Sequence, residues 1–209
     1  MPGIWYFDFV SPFSYIALAE VEALTRDIEI AFRPVLLGAM LKHYGQLGPA
    51  EVAPKRVQTY RLCVWKARER GLGFRFPPCH PFNSLKLLRL ATALDAESGV
   101  VRTIFDCIWR EGRDPQSPET LALLRERLGV EDIDALIEAK GAKDKLREST
   151  QAAIDQGVFG VPTLALGREL FWGTDALAMA RAYLADPRLF EEGEMRRADH
   201  LPVGVERSR

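Results

Sequence analysis

FDFVSPFSY, residues 7–15, ends an apolar run and opens a helical one. Residues 4–10 (IWYFDFV) are rich in aromatic and β-branched side chains and carry no helical period. From Pro12 onward, Tyr15, Ile16, Leu18, Ala19, Val21 and Leu24 recur at helical spacing, which predicts a strand followed by a helix over 12–25. The junction is Ser11-Pro12. Proline suits the first helical position because its missing N–H would have had no partner inside the helix, and serine before it is a favoured N-cap. Residues 28–37 (IEIAFRPVLL) alternate as a second strand after only a short link, so the chain opens as a βαβ unit.

Working outward, residues 38–157 carry no comparable strand signal. Helical patterns cover 54–70, 83–97, 100–111, 117–128 and 132–156, punctuated by Gly71, Gly99, Gly112 and Gly129, with Ser117-Pro118-Glu119-Thr120 as a helix start. His43 falls in a loop before Gly45 on this reading. Strand character returns at 163–166 (TLAL) and 169–172 (ELFW), separated by Gly167-Arg168 as a two-residue hairpin turn. GTDALAMARAYLADP then begins a last helix, capped by Thr174 or Gly173 and followed by Pro187; the charged tail from Arg188 is expected to fray. The order is βαβ, a helical block, ββα. A gap of about 120 residues between strands is far beyond an ordinary connection, so if both ends share one sheet the middle is an excursion from it.

Composition narrows the function. With 209 residues, 47% of them hydrophobic, the chain can bury a sizeable core. Its 28 basic and 29 acidic side chains leave a formal charge of -1, which provides no net field for nucleic acid or an anionic membrane, so any anion must be bound locally. The three cysteines, Cys63, Cys79 and Cys107, lack C-x-x-C spacing and read as reduced thiols of a cytoplasmic protein. The first apolar segment is too short to span a bilayer and has no basic region before it.

Ser11 admits two uses at a helix start. It can simply cap the helix; or, because a helix N-terminus presents free N–H donors and partial positive charge, its hydroxyl can help to hold an anion, including a thiolate. A hydrolase nucleophile needs a neighbouring base, and the histidines are only His43, His80 and His200, without a G-x-S-x-G turn. At the other end, Pro162 stands before the strand 163–166. A cis Val161-Pro162 bond there leaves the Val161 N–H and C=O free for an extended peptide ligand, whereas a trans proline is an ordinary strand entrance.

These segments converge on a family. FDFVSPFSY, FPPCHPFNSLKLLRL (76–90) and GVFGVPTLALGRELFWGTDAL (157–177) resemble the 2-hydroxychromene-2-carboxylate isomerases, which have a DsbA-like thioredoxin fold and are related to kappa-class glutathione transferases. The resemblance runs over residues 4–185, with both redox cysteines of the DsbA motif replaced by Ser11 and Ser14. It implies an α/β thioredoxin-like fold formed by 1–37 and 158–187, a helical insertion over 38–157, and a charged tail over 188–209. It implies cis Pro162, glutathione as cofactor, an aromatic acid substrate, a role in aromatic catabolism and a homodimer.

The implied roles follow by position. Ser11 holds the glutathione sulfur as thiolate, and Val161 and Pro162 present main chain to its cysteinyl part. Trp172, Gly173, Thr174 and Asp175 receive the γ-glutamyl end, and Asn83 and Lys42 reach the substrate. By their own chemistry, Asn83 could equally cap a helix, Asp175 could be a first-turn acid and Lys42 a solvated lysine. Two departures stand out: Gln46, Leu47 and Gly48 before Pro49, and Ala176 where the family carries arginine. The rival functions are a kappa-like transferase and a thioredoxin-fold module that docks peptides without chemistry. Tyr60, Trp65, Phe74, Phe76 and Phe82 are either pocket lining or core, and the basic face of 55–70, with Arg61 beside Trp65, reads as solvated.

Overall fold

The computed structural model describes residues 2–205. Four strands form one mixed sheet in the order β2-β1-β3-β4: β1 (Gly3–Phe7), β2 (Ile30–Pro34), β3 (Thr163–Leu166) and β4 (Glu169–Trp172). β1 runs parallel to β2 through the crossover helix α1 (Pro12–Leu24) and antiparallel to β3, and β3–β4 is the expected hairpin about Gly167-Arg168. Both ends of the chain therefore share a sheet, and the helices between β2 and β3 are the excursion.

Those helices are α2 (Leu37–His43), α3 (Ala53–Glu69), α4 (Leu85–Ala93), α5 (Ser98–Phe105), α6 (Pro118–Leu128), α7 (Ile133–Glu138) and α8 (Lys140–Asp155). α9 (Ala176–Ala185) and the short α10 (Gly193–Ala198) follow β4.

Several expectations are corrected. The second strand stops at Pro34, and His43 ends helix α2 rather than lying in a loop, because the Leu37 N–H that opens α2 finds the Asp8 carboxylate. The helix predicted over 83–97 is only α4, since Asp95 and Ala96 adopt left-handed backbone (φ 52° and 51°) that no glycine announces. The helix at 100–111 widens into a π turn over Asp106–Arg110. The single helix at 132–156 is two, broken at Ala139 (ψ 128°). Buried positions step by four from Ile133 to Ile137, then by five to Ala142, and the extra residue is absorbed at that break. The tail is not wholly frayed: Phe190 stacks on Tyr183 at 5.3 Å and packs against Phe171. Residues 206–209 of the expected tail lie outside the described residues.

The larger of two core clusters joins the sheet to the helices, and a smaller one that includes Tyr6, Met40 and Val161 packs apart from it. Trp5 stacks on Phe7 at 4.8 Å, Phe7 and Phe9 meet Phe105 of α5, and Trp109 packs among Phe74, Phe76 and Phe82. Trp109 also donates its indole N–H to the Phe9 carbonyl at 2.8 Å, pinning the helical block to the chain just before Ser11. Trp109→Phe leaves that buried carbonyl without a partner and is expected to cost about 1–3 kcal/mol in a denaturant melt.

Candidate active site

Ser11 is the N-cap of α1: its Oγ accepts the Ser14 N–H at 3.2 Å, its backbone is extended (φ -88°, ψ 111°), and it is 6% exposed. Pro12 has no N–H and Ser14 is taken, so among the described residues the Phe13 N–H is left as an unpaired donor beside the Ser11 hydroxyl. Together with the helix dipole, this makes the end of α1 a place for an anion.

The sheet register brings the distant segment to the same place. Thr163 pairs with Tyr6, so continuing the antiparallel ladder sets Pro162 and Val161 across from Phe7 and Asp8, three residues before Ser11. The Val161-Pro162 bond is cis, as the resemblance implies, and among the described residues neither the N–H nor the C=O of Val161 has a hydrogen-bond partner. The Pro162 carbonyl accepts the Gly173 N–H at 2.8 Å, which fixes the WGTD segment beside it as it leaves β4. Gly173 (φ 84°) makes that turn, and Trp172, 54% exposed, packs at a tilt against Phe159.

The helix cap expected at Thr174 or Gly173 is instead Asp175, with Thr174 buried before it. Asp175 makes no side-chain cap bond; its carboxylate takes the Lys66 ammonium of α3, with Thr174 Oγ1 at 3.4 Å. Hydrogen bonding from Lys66 is the main reason that the Asp175 carboxyl is held below the ordinary carboxylate range. Nothing in the sequence marked Lys66 as more than one cation on a basic helix.

Asp8 organises the floor of the site. Only 1% exposed, it accepts the Val10 N–H at 3.0 Å, the Leu37 N–H at 2.9 Å and the Ser84 hydroxyl. Burial raises its pKa, and those three hydrogen bonds oppose the rise. Through Ser84 the site reaches Asn83, which is exposed and whose Oδ1 accepts the Leu85 N–H at 3.0 Å, although the N-cap of α4 is Ser84 and not Asn83. Lys42 stands exposed on the last turn of α2, and among the described residues no hydrogen bond or ion pair joins it to this cluster. Of the aromatics considered for a pocket, Phe74, Phe76 and Phe82 pack in or against the core, while Trp65 is 61% exposed.

Two of the chain's three sulfurs, Cys63 and Cys107, are buried and ill suited to serve as nucleophiles, while Cys79 is exposed. Burial pushes the Cys63 thiol up to about 12 and Cys107 up to about 11, which leaves both protonated at neutral pH. The groups gathered at Ser11, Val161 and Asp175 can hold an anion, an extended backbone and a charged terminus, but supply no nucleophile of their own.

Comparison with known proteins agrees with this fold. The DSBA-like thioredoxin domain matches residues 4–185. The chain is 31% identical to a 2-hydroxychromene-2-carboxylate isomerase of Pseudomonas putida, over 84% of this chain and 90% of the relative. It is 24% identical to glutathione S-transferase kappa 2 of Caenorhabditis elegans, over 88% of this chain and 91% of the relative. A solved 2-hydroxychromene-2-carboxylate isomerase superposes with a TM-score of 0.79 at 28% identity, covering 97% of this chain and 100% of that one. No helix among the described residues is long and apolar enough to cross a membrane.

Proposed function

Because the chain belongs to the 2-hydroxychromene-2-carboxylate isomerases of the DSBA-like thioredoxin family, we propose that it interconverts the cis and trans forms of such an aromatic acid with glutathione as cofactor, in aromatic catabolism. When bound, glutathione would supply a thiolate able to add reversibly to the conjugated alkene, the chemistry that would let the double bond rotate.

The chain's residues do the rest. The Ser11 hydroxyl and the Phe13 N–H hold the sulfur as its anion, each unit of thiol pKa depression corresponding to about 1.4 kcal/mol. The Val161 N–H and C=O pair with the extended cysteinyl backbone, with cis Pro162 behind them. Gly173, Thr174 and the N-terminus of α9 receive the γ-glutamyl carboxylate, Asp175 the ammonium, and Trp172 borders that end. Asn83 and Lys42 bind the acid substrate, and positive charge and donors there stabilise the developing enolate. In this division 1–37 and 158–187 hold the cofactor, and 38–157 the substrate. The cytoplasm, where thiols stay reduced, is the compartment this chemistry asks for.

The observation that carries the reading is the Gly173 N–H bond to the Pro162 carbonyl, because it ties the WGTD segment to the unpaired Val161 backbone at the end of the sheet that bears Ser11. Incubation with 2-hydroxychromene-2-carboxylate is expected to give the trans open-chain isomer with glutathione recovered unchanged. A stable conjugate would instead mark a kappa-like transferase, and no turnover with no glutathione binding would overturn the assignment. Asp175→Asn removes the charge for the ammonium and is expected to weaken glutathione binding about tenfold by calorimetry, or about 1.4 kcal/mol.

A further inference from the structure

His80 and Tyr60 have no part in the scheme so far, yet they connect directly to the residue before Ser11. His80 Nε2 lies 2.8 Å from the Val10 carbonyl oxygen, and its Nδ1 lies 2.8 Å from the Tyr60 hydroxyl. A carbonyl oxygen can only accept, so Nε2 carries the hydrogen and donates it to Val10. Nδ1 is then a bare lone pair, and the Tyr60 O–H donates to it, sharing its single proton with the His80 carbonyl, also at 2.8 Å. The Val10 carbonyl therefore sets the tautomer, and Tyr60 engages the other ring nitrogen. Burial lowers the pKa of the imidazole, with Arg56 acting in the same direction and the bond to Val10 opposing, so the ring stays neutral at neutral pH.

The bond matters because of what it completes. The Phe9 carbonyl is held by Trp109, the Val10 N–H by the Asp8 carboxylate, and the Ser11 N–H by the Asp8 carbonyl at 3.0 Å. The Val10 carbonyl belongs to the peptide unit that ends in the Ser11 N–H, and among the described residues His80 alone holds it. The ring itself is wedged edgewise against Trp109 at 5.4 Å and Tyr60 at 5.3 Å, so it cannot drift away from its acceptor.

We infer that His80 is a positioning residue: with its ring held between Tyr60 and the Val10 carbonyl, it clamps the Val10–Ser11 peptide and so aims the Ser11 hydroxyl at the sulfur of the bound thiol. The inference rests on the role given to Ser11 above. The same clamp ties the loop carrying Asn83 to the Ser11 turn, which fixes the substrate side of the site relative to the sulfur side. A serine hydroxyl free to rock by an ångström loses much of its preference for the anion over the thiol.

The test compares the full-length wild type with His80→Leu, His80→Gln and Tyr60→Phe by two readouts: the Val10 carbonyl carbon resonance without glutathione, and the ultraviolet thiolate band with it. His80→Leu is expected to shift the Val10 resonance, raise the pKa of bound glutathione by about one unit and lower kcat about tenfold with the KM for the acid little changed. His80→Gln, whose amide N–H can replace Nε2–H, is expected to restore both signals substantially. Tyr60→Phe keeps the ring but removes the partner of its Nδ1 and so loosens the clamp; it should fall between the two, and it serves as the probe if His80→Leu does not fold. An unmoved Val10 resonance, a wild-type thiolate band in His80→Leu, or a Gln variant no better than Leu would overturn the inference. Absence of the band in wild type would overturn the glutathione reading itself, while the Val10 resonance, measured without glutathione, still decides whether His80 holds the turn.

Discussion

Ser11→Ala is expected to lower glutathione-dependent turnover by about 100- to 1000-fold, the usual loss when one donor aimed at a reacting anion is removed. No sulfur already in the core can compensate, because Cys63 and Cys107 are buried with their thiols pushed up to about 12 and 11. The same substitution deletes the cap on Ser14 N–H, which costs about 1 kcal/mol of stability. The two losses separate in Ser11→Asp. Aspartate caps a helix as well as serine does, but as the anion it has no proton to donate and repels a thiolate. Ser11→Asp should therefore melt near wild type yet show no thiolate band and no more turnover than Ser11→Ala. An alanine variant with wild-type turnover would mean that Ser11 is a cap and nothing else.

What the sequence made legible was whatever depends on neighbours in the chain. The Ser11-Pro12 junction, the Gly167-Arg168 hairpin and the α9 stop before Pro187 are each written in a few adjacent residues, and the structure has all three. Cis Pro162 came from the family resemblance, since proline at a strand entrance is compatible with either isomer. The failures are nonlocal in cause. α2 exists because Asp8 answers its first N–H from 29 positions away, and α4 ends where two ordinary residues turn left-handed with no glycine to signal it.

The site divides the same way. The N-cap role of Ser11 could be read from the helix start, but the groups that hold its turn and the WGTD segment could not: Trp109 is 100 residues from Phe9, His80 is 70 from Val10, and Lys66 is 109 from Asp175. Lys66 changes how the WGTD segment works. An incoming ammonium must share the Asp175 carboxylate with a lysine already there, so part of the attraction expected from sequence is offset, and the same lysine adds a cation near the place proposed for the γ-glutamyl carboxylate. Asn83 shows the opposite outcome: its bond from the Leu85 N–H, made from one residue before the Ser84 N-cap, satisfies its carbonyl and leaves its amide N–H₂ as the part able to meet a substrate.

Asp8→Ala is expected to destabilise the protein by about 2–4 kcal/mol, because the Val10 and Leu37 N–H groups lose their acceptor together and each orphaned donor costs about 1–3 kcal/mol when shielded from water. The loss should reach function as well, since the carboxylate joins the Ser11 turn, the start of α2 and Ser84 beside Asn83. The pH dependence gives the prediction a second check. Burial raises the folded-state pKa of Asp8, so the folded chain holds a proton that the unfolded chain releases. Stability from this group is therefore full below the ordinary carboxylate pKa of about 3.9 and declines as pH rises from there through the raised value. Asp8→Asn cannot titrate and should lack that decline, while its amide N–H₂ faces one of the two backbone donors and keeps it less stable than wild type near neutral pH. Chemical denaturation of wild type and both variants across the acid range measures the slope directly: parallel curves for wild type and Asp8→Asn would show that the carboxyl is not held protonated by its surroundings, and an Asp8→Ala variant as stable as wild type would show that water reaches the two N–H groups.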